Sequence, residues 1–143
     1  FYSDSEKYYQ QIENLGLKEK VIVAPVFIPD GEVNRYFGVA DIIAQPYKSA
    51  TQSGVTQIAY HFEKPMIVTN VGGLSEIVPH GKVGYVVEVN SKTIADALVD
   101  FFTRNKMDSF SAGIKEEKQK YSWERMTTTI FTVFNQINND NTK

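Results

Sequence analysis

Residues 51–54 read Thr-Gln-Ser-Gly and lead into an apolar helical pattern. The first N–H groups of a helix have no partner within it, so small residues at a helix start can open the backbone to an anion. Ser53 and Gly54 are small enough for a phosphate to approach that backbone. Thr51, Gln52 and Ser53 add neutral donors. The same four residues also fit a plain helix start, with Ser53 as cap and Thr51 and Gln52 as loop. Gly72-Gly73 has a similar double reading. A glycine pair after a strand permits positive φ and the close approach of a ligand, or forms a tight turn. Glu76 lies four residues beyond Gly72, on the first turn of a helix. An acid there suits the helix dipole as well as it suits a ligand contact.

Other chemistries find little support. His61 and His80 are the only histidines, and there is no cysteine. No paired acids stand at ligand spacing, so no metal site is expected. The Gly-x-Gly-x-x-Gly fingerprint, a P-loop and a Gly-x-Ser-x-Gly elbow are all absent from the sequence. Ser53 precedes a glycine but has no His–acid pair to serve it.

These residues need elements to position them. The run 42–45 (IIAQ) reads as a strand that stops at Pro46, followed by a polar loop through Gln52. A helix is expected from Ser53, with Val55, Ile58, Ala59 and Phe62 on one face. Pro65 opens a short apolar run at 66–69, suited to a strand covered on both faces. Asn70–Gly73 then turns the chain, and Leu74–Val78 can start a helix. Two strand-to-helix turns in succession place both glycine-bearing loops at the carboxyl ends of neighbouring parallel strands, where open α/β sheets bind ligands. Tyr47 stands at the first of these strand ends, and Tyr60 is expected to be packed.

Further strands are expected at 21–25 and 84–87. A first helix over 3–15 would be capped by Ser3 or Ser5, stopped by Gly16, and would bury Tyr8, Ile12 and Leu15. A helix over 31–39 would follow Asp30. Ser91 would cap a helix with Ile94, Leu98, Phe101 and Phe102 on one face. The run KEEKQK (115–120) reads as the solvated face of a helix at 107–119. A last helix from Ser122 carries a stripe of Trp123, Met126, Ile130, Val133, Phe134 and Ile137, and the tail 138–143 should fray.

The chain has 143 residues, enough for one domain with a real core, and residues 1–143 are read as one domain. Its net charge of −2 argues against a general nucleic-acid binder. The absence of cysteine excludes disulfides and thiolate metal sites, and is compatible with a reducing cytoplasm. No apolar run has the roughly 20 residues of a membrane span. The sequence starts at Phe1 and runs straight into a helix, so a fragment is expected.

ADIIAQPY at 40–47, TQSGVTQIAYHF at 51–62, KPMIVTNVGGLSEIV at 64–78 and GKVGYVV at 81–87 together resemble the nucleotide-sugar-binding domain of retaining glycosyltransferases of the GT-B fold, family 4 in particular. The resemblance runs from about Leu15 to Asn138. It implies an α/β fold: a three-layer, Rossmann-like parallel sheet with flanking helices, without its first strands and without the first glycine loop. The implied parent transfers a hexose from a nucleoside-diphosphate sugar to a glycan or lipid-linked acceptor, as in bacterial polysaccharide biosynthesis. It would work with a second, N-terminal Rossmann domain, in the cytoplasm or at the inner face of the membrane. No metal cofactor is implied. The scarcity of nucleophiles fits, because such transfer relies on positioning and on stabilising the departing diphosphate.

By this resemblance Thr51–Gly54 meet the diphosphate, Gly72, Gly73 and Glu76 face the donor sugar, and Tyr47 contacts base or ribose. Phe27 and Ile28 lie beside the base, although Phe27 reads equally as core. Many members carry a Glu-x7-Glu motif. Here Ala50 and Ile58 occupy those positions, TQSG stands nearby as in some members, and Gln57 is expected to reach the ribose in place of an acid. Two rival readings stand beside this one: a non-catalytic nucleotide-sugar-binding module, and a GT-B-fold nucleotide-sugar epimerase.

Overall fold

The computed structural model describes residues 5–140. They divide into two compact units, Phe1–Asn34 and Arg35–Lys143.

The second unit holds the sheet. Strands β1 (Ile43–Gln45), β2 (Met66–Thr69) and β3 (Gly84–Val87) are parallel, in that order. Ile43 pairs with Met66, and Met66 with Gly84. All four residues of β2 are buried, which explains a run of apolar residues without alternation: both faces are covered. Met66 and Val68 share one buried cluster with Ala59, Tyr60, Leu74, Val78, Val83 and Ile114. Tyr85 pairs with Ile67 and so faces the other side. There its ring meets Phe110 and its hydroxyl donates to Asp100.

Helices follow each strand: α3 (Gly54–His61), α4 (Leu74–Ile77) and α5 (Ser91–Thr103), numbered after α1 (Glu6–Asn14) and α2 (Asp30–Val39). Then come α6 (Met107–Glu117), a 3₁₀ turn (Lys118–Tyr121) and α7 (Trp123–Asp140). β1 and β2 both end in a three-residue turn. Tyr47 N–H donates to the Gln45 carbonyl at 2.9 Å, and Val71 N–H to the Thr69 carbonyl at 2.8 Å.

Helices α1, α3 and α5 stop in one way. The residue after the C-cap is left-handed, and the next N–H reaches back to the last turn. Gly16 (φ 63°), Glu63 (φ 56°) and Asn105 (φ 47°) hold that position, with Leu17 N–H on Ile12, Lys64 N–H on Ala59 and Lys106 N–H on Phe101. The expected stop at Gly16 is thus observed. Glu63 is the exception to the usual glycine or asparagine.

Several expectations are corrected. Residues 21–25 form no strand. A parallel strand needs a ladder partner, and in the 3-2-1-4-5-6 order the third strand is separated from the fourth by two others, which are not among the described residues. In α1 no residue is buried, and Tyr8 and Leu15 are exposed; Ile12 only lines a cavity of about 290 Å³ with Val21 and Val23. Ser5 makes no capping bond, and Ser3 lies outside the described residues. Asn90 rather than Ser91 caps α5, its Oδ1 accepting from Lys92 N–H at 2.7 Å. Ala97 and Phe101 are buried there, while Phe102 is exposed. In α3 the buried residues are Thr56, Ala59 and Tyr60; Val55, Ile58 and Phe62 are half-buried. The six apolar residues of the α7 stripe are all exposed. That helix continues to Asp140 instead of fraying at 138, and 141–143 lie outside the described residues.

Candidate functional site

The loops after β1 and β2 adjoin. Gly72 has φ 51°, and a Cβ there would stand 1.8 Å from the Ala50 carbonyl oxygen. Only glycine lets the two backbones meet so closely. Gly73 N–H donates to the Thr51 carbonyl at 2.9 Å. The glycine pair is therefore occupied with the neighbouring loop, and that contact alone requires Gly72. Gly54 differs: a Cβ there meets nothing within 4 Å. Its lack of a side chain answers to no contact within the protein.

Ser53 stands at the N-cap of α3 in extended conformation but makes no capping hydrogen bond. Its Oγ lies 3.3 Å from the Tyr47 hydroxyl instead. Thr56 N–H donates to the Ser53 carbonyl at 3.2 Å, and the Gly54 and Val55 amides are left without the side-chain cap that the sequence offers them. Thr51, Gln52 and Gly54 are exposed; Tyr47, Ser53 and Gly73 are half-buried. Glu76 is exposed in the four-residue α4.

Beneath this surface lies a buried polar layer that the sequence reading missed. Thr69 Oγ1 donates to the Tyr47 carbonyl at 2.6 Å and stands 3.4 Å from the Gln45 carbonyl. Thr56 Oγ1, in the first turn of α3, donates to Gln45 Oε1 at 3.1 Å. Gln45 Nε2 is buried and has no partner. The only sequence signal was polarity out of place: an amide ending an apolar strand, a hydroxyl ending MIVT, and a threonine where the helix turns inward.

Gln57 and Tyr60 of α3 are not part of this cluster. Gln57 is one turn further along α3 and lines a cavity of about 300 Å³ with Tyr60, His61, Lys118, Gln119, Tyr121 and Ser122. Tyr60 is packed, and its hydroxyl donates to the Ile77 carbonyl at 2.6 Å. Burial, with Tyr121 and Glu117 nearby, raises its pKa above the ordinary phenol value. Phe27 and Ile28 belong to the first unit. Phe27 is 85% exposed there, which rules out the core reading, and Ile28 is half-buried.

A separate charge network ties α6 to the sheet. Glu117, 3% exposed, accepts from Lys82 at 2.6 Å and from Lys120 at 2.7 Å. KEEKQK is therefore not wholly a solvated face. Hydrogen bonds from Lys120 and then Lys82 hold the Glu117 carboxyl below the ordinary 4.5. Among the described residues no group of three or more His, Asp or Glu could hold a metal ion, and no helix is long and apolar enough to cross a membrane. What the arrangement offers a ligand is amide N–H groups and neutral hydroxyl and amide side chains.

The fold is that of the Rossmann-like domains of GT-B glycosyltransferases. The C-terminal domain of a glycosyl transferase group 1 family protein (LpcC) from Francisella tularensis superimposes with a TM-score of 0.73 at 21% identity, covering 82% of this chain and 62% of that one. Anabaena Alr3699/HepE, solved in complex with UDP, superimposes at 0.76 and 20% identity, covering 92% of this chain and 36% of that one. The family model described as "Glycosyl transferases group 1" matches residues 2–104. The chain belongs to that family. It is 30% identical over 119 residues to the D-inositol 3-phosphate glycosyltransferase of Paenarthrobacter aurescens, a stretch covering 80% of this chain and 28% of that relative. The chain thus spans well under half the length of that curated relative.

Proposed function

We propose that this chain is the donor-binding part of a retaining glycosyltransferase, one that moves a hexose from a nucleoside-diphosphate sugar to a glycan or lipid-linked acceptor. The observation that carries this reading is the start of α3. Its first amides are uncapped, Gly54 has open space before it, and Thr51, Gln52 and Ser53 stand around it at the carboxyl end of β1. Amides at a helix N-terminus suit a diphosphate. Family membership, and a neighbour solved with UDP, support a nucleotide there. In this reading the Tyr47 side chain, whose hydroxyl lies 3.3 Å from Ser53 Oγ, meets base or ribose. Gly72 and Gly73 hold the adjoining loop, from which Glu76 faces outward. Partners of the whole protein would be the acceptor and a second Rossmann domain, with no nucleic acid.

The test is calorimetric titration of UDP, GDP, ADP and CMP, then of the matching sugars, into the whole protein that carries this sequence. One nucleoside diphosphate should bind. Gly54→Val should weaken it roughly twofold to fivefold, the scale of a charge at a helix end, with little change in thermal stability. If no nucleotide binds, the reading is wrong. If Gly54→Val fails to fold, Gly54 serves structure.

A further inference from the structure

We propose that Thr69 and Gln45 are positioning residues for the donor site. From below they fix loop 46–53 and the first turn of α3 in the shape that receives the diphosphate. This inference rests on the donor-binding reading above.

Packing alone does not ask for these residues. Thr69 is 1% exposed in a strand whose other three residues are Met66, Ile67 and Val68. Valine has the same shape and suits the strand at least as well. The hydroxyl makes its short bond to the Tyr47 carbonyl, with the Gln45 carbonyl further off at 3.4 Å, across the gap between two strand ends. That bond anchors the beginning of the loop.

Gln45 makes the same point more sharply. It is 3% exposed and pairs with Val68 across the sheet. Its Nε2 has no partner, a state that costs free energy in a buried group. A leucine would fill nearly the same space and remove the unpartnered Nε2, at the cost of leaving the buried Thr56 hydroxyl without its acceptor. What the glutamine gains is Thr56, two residues into α3, held through Oε1. That bond anchors the far side of the loop. Between the anchors the Tyr47 hydroxyl and Ser53 Oγ meet at 3.3 Å, and Thr51 and Gln52 stay exposed. A diphosphate needs several amides aimed at once, so loosening either anchor degrades binding without touching the ligand.

Three variants of the whole protein test this: Thr69→Val, Thr69→Ser and Gln45→Leu. Each is measured for nucleoside-diphosphate affinity, for hydrogen exchange of the amides at 51–55 without nucleotide, and for unfolding midpoint. Thr69→Val should weaken affinity up to roughly tenfold, the reach of one hydrogen bond, and speed exchange at 51–55. Thr69→Ser should restore both. Gln45→Leu should weaken affinity and speed exchange at 51–55 while leaving the unfolding midpoint little changed, because it removes the unpartnered Nε2 but leaves the buried Thr56 hydroxyl without its acceptor. Wild-type affinity and exchange in both Thr69→Val and Gln45→Leu would overturn the inference. If Thr69→Val does not fold, Gln45→Leu decides alone. If the wild type binds no nucleotide, the donor-binding reading fails, and the exchange rates still decide whether these residues hold the loop.

Discussion

Gly72 and Gly54 look alike in the sequence and differ in the structure. At Gly72 a side chain would meet the Ala50 carbonyl at 1.8 Å, on a backbone at φ 51°. Gly72→Ala should therefore destabilise the protein by about 1–3 kcal/mol, the scale of a strained left-handed residue. Equilibrium urea unfolding measures it, and a variant as stable as wild type would show that the two loops do not meet this closely. Gly54 should tolerate a side chain without loss of fold. The sequence shows that both glycines follow strands. It cannot show which faces the neighbouring loop, because that depends on how β1 and β2 lie side by side. Thr69, Gln45 and Thr56 were illegible for a related reason: a polar residue in an apolar run declares itself only when its partner, up to 24 residues away, is known.

At the scale of elements, the helix-and-strand alternation from 42 to 103 was readable from periodicity and turn residues, and the three strands fall where it put them. What failed was burial. The face of α1 is amphipathic in sequence and was expected to be buried, yet it is exposed in this chain, as is the apolar stripe of α7. Periodicity reports that a face is apolar, not that something covers it. The run 21–25 failed for want of a ladder partner. α6 supplies a testable electrostatic consequence. The Glu117 carboxyl is lowered by Lys120 and Lys82, and the Glu63 carboxyl by Lys118 and then Lys115. A carboxyl whose folded pKa is depressed contributes stability above its unfolded value, near 4.5 here, and loses it as pH falls through the folded value. Stability should thus decline below about pH 4.5. Glu117→Gln, which cannot ionise, should make that decline shallower and lower stability at neutral pH. Denaturant unfolding across the acid range reads both effects. An unchanged acid limb would mean that Glu117 is not ion-paired in solution.

At the scale of the whole molecule, β1 pairs only with β2 among the described residues, so its other edge offers unpaired backbone groups. α7 adds an exposed apolar stripe from Trp123 to Ile137. The 143-residue chain expressed alone should therefore associate with itself, as sedimentation at rising concentration would show. It should also release no nucleoside diphosphate from a panel of nucleotide sugars. The cluster at 47–54 and 72–76 offers donors but no nucleophile paired with a base, and the chain covers only 36% of the UDP-bound neighbour. Turnover above a buffer control would show that the chain holds catalytic groups outside that cluster. Of the two ways to cover that edge, a strand at 21–25 or a second copy of the chain, the first is not available, since residues 21–25 form no strand.

Glu63 joins two demands that no single side chain satisfies. The stop of α3 asks for glycine or asparagine at φ 56°, while Lys118, at 2.6 Å, and Lys115 ask for a carboxylate. Ser111 Oγ also donates to the Glu63 carbonyl, at 3.3 Å. Glycine would relax the backbone and release both lysines. Asparagine would suit the dihedral angle and give up the charge. The junction between α3 and β2 is thus locally frustrated. The helix whose first amides form the candidate site is moored at its far end by a compromise between backbone and charge, and substitutions at 63 can improve one only at the expense of the other.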